Sequence, residues 1–131
     1  ILVFNLQNEV FLQKRSMTKD ENPGLWDISS AGHVDSGETY DECAHRELWE
    51  ELGIKAILKK LEKIEACQNT YHEHVQIYTC RTNAKININL DEISEGKYFD
   101  LEVLKSKIKK KPEQFTLSFK LIFKKIWNSP L

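Results

Sequence analysis

The chain has 131 residues, 40% of them hydrophobic and 30% charged, with a net charge of −1. That length suits one domain with a real core, and no stretch nears the ~20 apolar residues of a membrane span. The near-neutral total speaks against bulk binding of nucleic-acid polymers.

Ile1–Leu6 and Glu9–Arg15 read as two strands around a tight turn at Gln7-Asn8. The first begins at Ile1 with no initiator Met, so the N-terminus is expected to be trimmed. Residues 16–25 form a polar loop containing Pro23-Gly24, a strong breaker. Trp26–Ala31 reads as a short strand. Thr39 can cap a helix, with Glu42 three residues later closing a capping box. Gly53 sits where a left-handed residue would end that helix. Ile54–Gln68 reads as a long strand and Glu73–Arg81 as another. Residues 83–96 are polar and turn-rich, and Lys97–Phe99 reads as a short strand. Asp100 would cap a helix to about Lys110, which Pro112 interrupts. Phe115, Phe119, Ile122, Phe123 and Ile126 recur at helical spacing and predict an amphipathic C-terminal helix. This order predicts a single α/β domain over residues 1–131, a mixed β-sheet sandwiched between α-helices (α/β/α).

Charge is unevenly placed. Asp35 to Glu51 holds seven acids and one base, whereas Lys105 to Lys125 holds eight lysines and one acid. The lysines read as a solvated helix face. Cys43, Cys67 and Cys80 are odd in number and lack C-x-x-C spacing, which predicts a reduced, cytoplasmic chain without disulfides.

The acidic helix carries the chemistry. Glu47, Glu50 and Glu51 stand at i, i+3 and i+4, so their carboxylates project from one face. Ala44, Leu48 and Leu52 form the neighbouring stripe that presses the helix onto a core. Three carboxylates this close repel one another unless a cation joins them, and hard oxygen ligands suit Mg²⁺ or Mn²⁺. Arg46 can pair with Glu50 one turn on and hold the acidic face in place.

Gly32, Glu38, Arg46-Glu47-Leu48, Glu50-Glu51 and Gly53-Ile54 together spell G-x5-E-x7-R-E-U-x-E-E-x-G-U, U being aliphatic, without a departure. Seven positions demand one residue each; at background frequencies of roughly 0.06, about one random start in 10⁸ to 10⁹ would match. The chain therefore resembles the Nudix superfamily, whose fold is the α/β/α sandwich already expected. Its flanks narrow the resemblance. Gln13-Lys14-Arg15-Ser16, Lys19, Pro23-Gly24-Leu25-Trp26-Asp27 and Ala31-Gly32-His33-Val34 are similar to the isopentenyl-diphosphate-isomerase-like branch. So are Glu73-His74-Val75-Gln76-Ile77-Tyr78 and Pro112-Glu113-Gln114-Phe115-Thr116. Isomerases of that branch use a catalytic cysteine just before the Gly-His pair, where this chain has Ala31, and tend to have a degenerate box. Both differences favour hydrolysis.

The resemblance implies a Mg²⁺-dependent (or Mn²⁺-dependent) hydrolase cleaving the diphosphate linkage of a nucleoside diphosphate–X substrate. Glu47, Glu50 and Glu51 would hold the metal, with the Gly32 carbonyl as a further ligand. A box glutamate, Glu50 or Glu51, is expected as general base, with Glu73 as the candidate outside the box; Arg46 belongs to the same catalytic set. Glu38 is expected to steady the loop. Arg15 and Lys19 match positions that contact the diphosphate in the isomerases, and Trp26 either stacks on a base or packs in the core. His33 matches a metal ligand of the isomerases, with a structural hydrogen bond as the alternative; His72-x-His74 lacks the further ligands a zinc site needs. Rival functions are an isopentenyl diphosphate isomerase and a non-catalytic nucleotide-binding module. The expected partner is a small-molecule diphosphate, not a nucleic acid or a membrane, and a homodimer stays open. Specificity is expected in loops 16–25 and 83–96, neither of which names the substrate.

Overall fold

The computed structural model describes residues 1–70 and 73–127. Its strands are β1 (Leu2–Phe4), β2 (Val10–Arg15), β3 (Trp26–Asp27), β4 (Lys59–Ile64), β5 (Val75–Arg81) and β6 (Ile93–Phe99). The helices are α1 (Tyr40–Leu52), α2 (Leu101–Lys110) and α3 (Leu117–Trp127), with short 3₁₀ turns at Gln68–Thr70 and Pro112–Gln114. The sheet runs β3-β2-β1-β5-β4, and β6 also pairs with β2. β1 and β5 are parallel, with Leu2 opposite Thr79. The other pairings are antiparallel, so the sheet is mixed, as the order of elements implies.

Alternation along each strand divides the core into two layers. Leu2, Phe4, Val10, Leu12, Ile77 and Phe99 face Leu104 of α2 and Phe119, Ile122, Phe123 and Ile126 of α3. Ile1, Val3, Phe11, Tyr78, Cys80 and Ile93 face Ala44, Leu48 and Leu52 of α1. The result is the expected sandwich, with α1 alone on its face among the described helices.

Local signals place α1 correctly. Thr39 Oγ1 accepts from the Glu42 amide at 3.1 Å, and Glu42 Oε1 accepts from the Thr39 amide at 3.0 Å. Gly53 ends the helix at φ 64°, in the left-handed region glycine tolerates, and donates to Trp49 O at 2.9 Å. Beyond the helix end, the Asn87 and Asn89 amides donate to the Leu52 and Glu51 carbonyls, each at 2.9 Å. Loop 83–92 thus takes up carbonyls that α1 leaves unpaired.

Three strand boundaries differ from the sequence expectation. β4 spans Lys59–Ile64 rather than Ile54–Gln68, because Ile54, Ala56 and Leu58 pack on the α1 layer before pairing starts and a 3₁₀ turn begins at Gln68. β3 stops at Asp27, since Ile28, Ser29 and Ser30 turn inward. β6 starts at Ile93, inside the stretch expected to be turn; fully buried Ile93 sits opposite Arg15 and completes the pairing with β2.

Leu48 is fully buried in the layer that seats α1, whereas Ile57 is 94% exposed. Leu48→Ala is expected to cost about 2–5 kcal/mol in urea unfolding, and Ile57→Ala no more than ~0.5 kcal/mol.

Candidate active site

The segment from Ser30 through α1 is built around one guanidinium. Arg46 donates from Nε and Nη2 to both oxygens of Glu38, at 2.8 and 2.9 Å. Its Nη1 reaches Glu47 Oε1 at 2.7 Å and Glu50 Oε2 at 3.2 Å. Nη2 also donates to the His33 carbonyl at 3.2 Å and lies 3.4 Å from Asp35 Oδ2. A planar fork with five donors can serve this many acceptors at once, whereas a lysine ammonium cannot. The Asp35 amide donates in turn to Glu38 Oε1 at 3.1 Å, closing loop 32–38 against the helix. The expected Arg46–Glu50 pair and the steadying role of Glu38 are both seen in these contacts. Arg46 holds the Glu38 carboxyl down to about 2, far below its usual 4.5.

Glu51 takes a different set of partners. It is buried, and its Oε1 accepts from Ser30 Oγ at 2.6 Å and from the Ala31 amide at 2.9 Å. Gln13 Nε2 on β2 reaches its Oε2 at 3.5 Å. Burial outweighs these donors and pushes the Glu51 carboxyl up to about 7, with the Glu47 charge adding to the push. Burial also raises Glu47 against the pull of Arg46, and the charges of Glu50 and Glu92 add to it. Gly32 is glycine for a steric reason: a Cβ there would lie 2.2 Å from Glu47 Cδ. Its backbone is thereby brought against the Glu47 carboxyl.

The other expected residues divide. Glu73 is brought to the box, its Oε1 lying 2.8 Å from His33 Nε2, so His33 takes a hydrogen bond to a carboxylate. Lys19 pairs with Glu92 at 3.6 Å, and Arg15 pairs with Asp27 at 3.6 Å and donates to Glu21 O. Trp26 is not brought to the box; it packs edge-on against Phe99 in the α2/α3 layer, with Lys14 and Lys97 over its ring. Of the histidine pair, His72 lies outside the described residues, and His74 pairs with Glu65 at 3.1 Å.

Gln13, Ser30 and Glu92 were not expected. Gln13 had a signal: it follows Phe11 by two residues, on the strand face that period-2 reading turns toward α1. The hydroxyl of Ser30 reaches Glu51 only through tertiary packing, and the carboxylate of Glu92 meets Lys19 on the loop after β2 in the same way.

The donor set, three carboxylates and a backbone carbonyl, is chemically suited to a hard divalent cation. Among the described residues no three acidic, histidine or cysteine side chains already converge on one point. Glu47 and Glu50 share Arg46 Nη1 instead.

The family model for the NUDIX domain matches residues 1–119. The chain belongs to the Nudix family. Isopentenyl-diphosphate Delta-isomerase 2 of Photorhabdus laumondii is 35% identical over 132 residues, 93% of this chain and 72% of the relative. An uncharacterized Nudix hydrolase of Pseudomonas aeruginosa is 33% identical over 104 residues, 79% of this chain and 62% of that one. A crystal structure from Deinococcus radiodurans superposes with TM-score 0.87 at 27% identity, covering 97% of this chain and 80% of that one. The NUDIX domain of Shewanella oneidensis NrtR, solved with ADP ribose, shares the fold at TM-score 0.76 and 15% identity, over 96% of this chain and 82% of that one. No described helix is long and apolar enough to cross a membrane.

The Glu38 shift carries a sign. A carboxyl depressed from 4.5 to about 2 contributes stability that is complete above pH 4.5 and lost as pH falls toward 2. In chelator, Glu38→Gln should therefore lower the Tm at pH 7. The gap to wild type should close as pH is taken from 4.5 toward 2.

Proposed function

We propose that this Nudix domain hydrolyses the diphosphate linkage of a nucleoside diphosphate–X substrate, giving nucleoside monophosphate and phospho-X. The observation that carries this reading is the complete Arg46-centred constellation, with Glu38, Glu47 and Glu50 gathered on one guanidinium and Glu51 buried beside it. Glu47, Glu50, Glu51 and the Gly32 carbonyl would hold Mg²⁺ or Mn²⁺. That ion, when bound, offsets charge on the phosphoryl oxygens and lowers the pKa of a water it holds.

The chain's own residues supply the rest. Glu51, buried and held by neutral donors, is the box glutamate we assign to take a proton from the attacking water. Ser30, the Ala31 amide and Gln13 fix its carboxylate for that task. Glu73, held by His33, is the alternative base outside the box. Arg46 orients Glu47 and Glu50 rather than touching substrate. Arg15 and Lys19 are the cations offered to the diphosphate. The packed position of Trp26 makes it a poor candidate for stacking on a base.

The name of the Photorhabdus relative favours isomerisation of isopentenyl diphosphate as the second reading. Ala31 weighs against it, because a methyl group neither donates nor accepts a proton where those enzymes carry cysteine.

The test is a panel of nucleotides, nucleotide sugars, coenzyme diphosphates and isopentenyl diphosphate with Mg²⁺ or Mn²⁺, read for released phosphate ester and for double-bond migration. Hydrolysis of a panel member is expected, with kcat lowered roughly 10²- to 10⁴-fold in Glu51→Gln and less than about tenfold in Glu73→Gln. Isomerisation that survives loss of Glu47 and Glu51 would replace this reading with the second.

A further inference from the structure

The helices on the side of the sheet opposite the box concentrate the chain's positive charge. From Lys105 to Lys125 eight lysines stand with one acid, Glu113, so this stretch holds +7 in a chain of net −1 and the other residues hold −8. On α2, Val103, Ser106, Lys107 and Lys110 recur at i, i+3, i+4 and i+7, which puts them on one helix face. With Lys111 and Gln114 they line one open groove of about 490 Å³. Leu101, Leu104 and Ile108 take the other side of the helix into the core, so the groove looks outward. Among the described residues no carboxylate pairs with Lys107, Lys110 or Lys111. A helix C-terminus favours a cation in its last turn, yet does not call for three unpaired ones around a groove.

We propose that this groove and the lysines beside it dock the protein on an anionic phospholipid surface, with the box turned toward solution. The inference goes beyond diphosphate hydrolysis and does not rest on it. Composition alone implies no membrane partner, because a near-neutral total hides where the charges stand. Their placement supplies charge complementarity with acidic headgroups. The chemistry of the face favours lipid over nucleic acid. Every cation on it is a lysine, a point charge that suits headgroups in any orientation, and none is an arginine, whose planar fork reads bases and phosphates. Phe115, Phe119 and Phe123 are buried, and Trp127 lies beneath Lys105, whose ammonium is 4.3 Å from the ring centroid. None of these rings is offered for bases to stack on. Exposed Val103 in the groove and exposed Leu117 at the start of α3 offer apolar side chains instead, as do helices that lie on a bilayer. Docking of this kind needs no spanning helix. Because α1 packs on the other side of the sheet, a membrane held at α2 leaves the box accessible. The negative remainder of the chain is repelled by the same surface, which turns the molecule to that orientation.

The experiment is co-sedimentation of the chain with vesicles of phosphatidylcholine alone or with about one-third phosphatidylserine, at pH 7 and low salt. Wild type is expected on the acidic vesicles and not on the neutral ones, and is expected to leave them as salt rises to about 0.5 M. Lys107→Gln/Lys110→Gln/Lys111→Gln should weaken partitioning roughly 10²-fold, about fivefold per lysine. Lys110→Gln alone, at about fivefold, is measured beside it, with the Tm of each, so that misfolding is told from lost docking. Lys55→Gln/Lys59→Gln/Lys85→Gln removes the same charge from exposed lysines elsewhere and should partition within about twofold of wild type. Equal loss in the two triple variants would make net charge, not this face, responsible and overturns the inference. Wild type that stays off the acidic vesicles overturns it too. Release from the vesicles by single-stranded RNA at equal phosphate concentration would give the face to nucleic acid, and overturns it likewise.

Discussion

The arrangement depends on the guanidinium of Arg46. A loop of seven residues precedes α1, and nothing in its composition compels it to lie along the helix. Arg46 compels it, by spanning Glu38 on the loop, Glu47 and Glu50 on the helix, and the His33 carbonyl between them. The bidentate grip on Glu38 sets the direction of the fork, and that direction leaves one nitrogen for the two helix carboxylates. Like charges that would otherwise repel along one face are thereby kept together, at the expense of fully neutralising none of them.

Glu51 shows the opposite strategy. It faces inward, where desolvation disfavours its charge, and receives only neutral donors from Ser30, Ala31 and Gln13. Burying a carboxylate this way is destabilising unless a cation comes to it. The fold accepts that cost because Leu48 and Leu52 on the same helix anchor it in the core. The core contacts and the candidate site are thus divided between neighbouring stripes of one 13-residue helix.

What the sequence made legible was local. Thr39 and Glu42 announce the helix start and Gly53 its end, because caps are satisfied within a few residues. The acidic face follows from helical spacing alone. The boundaries of β4 and β6 were not legible. Ile54, Ala56 and Leu58 look like strand but spend their apolar side chains on the α1 layer, while Ser94-Glu95-Gly96 looks like turn but is held extended by β2. Ser30 and Glu92 escaped for the same reason, since their bonds to Glu51, Ser16 and Lys19 cross between distant segments. Trp26 shows the limit of residue type as a guide: an aromatic beside the box can belong to the opposite layer.

The parallel pairing of β1 with β5 has a bearing on how the molecule assembles. Leu2 lies opposite Thr79, so the central pair of strands forms only after everything between them, α1 included, has been brought around. Pairings of that sequence separation are slow, because loop closure is unfavourable until the final contacts form. The carboxylates of α1 can make turns and caps early, yet the Ser29–Gln13 and Ser30–Glu51 bonds wait for β1 and β2 to be in place. An ion or substrate that needs all of these at once can bind only the finished chain. Its presence would then drain the partly folded population by mass action. Such a ligand would act as an inspector of assembly as well as a reactant.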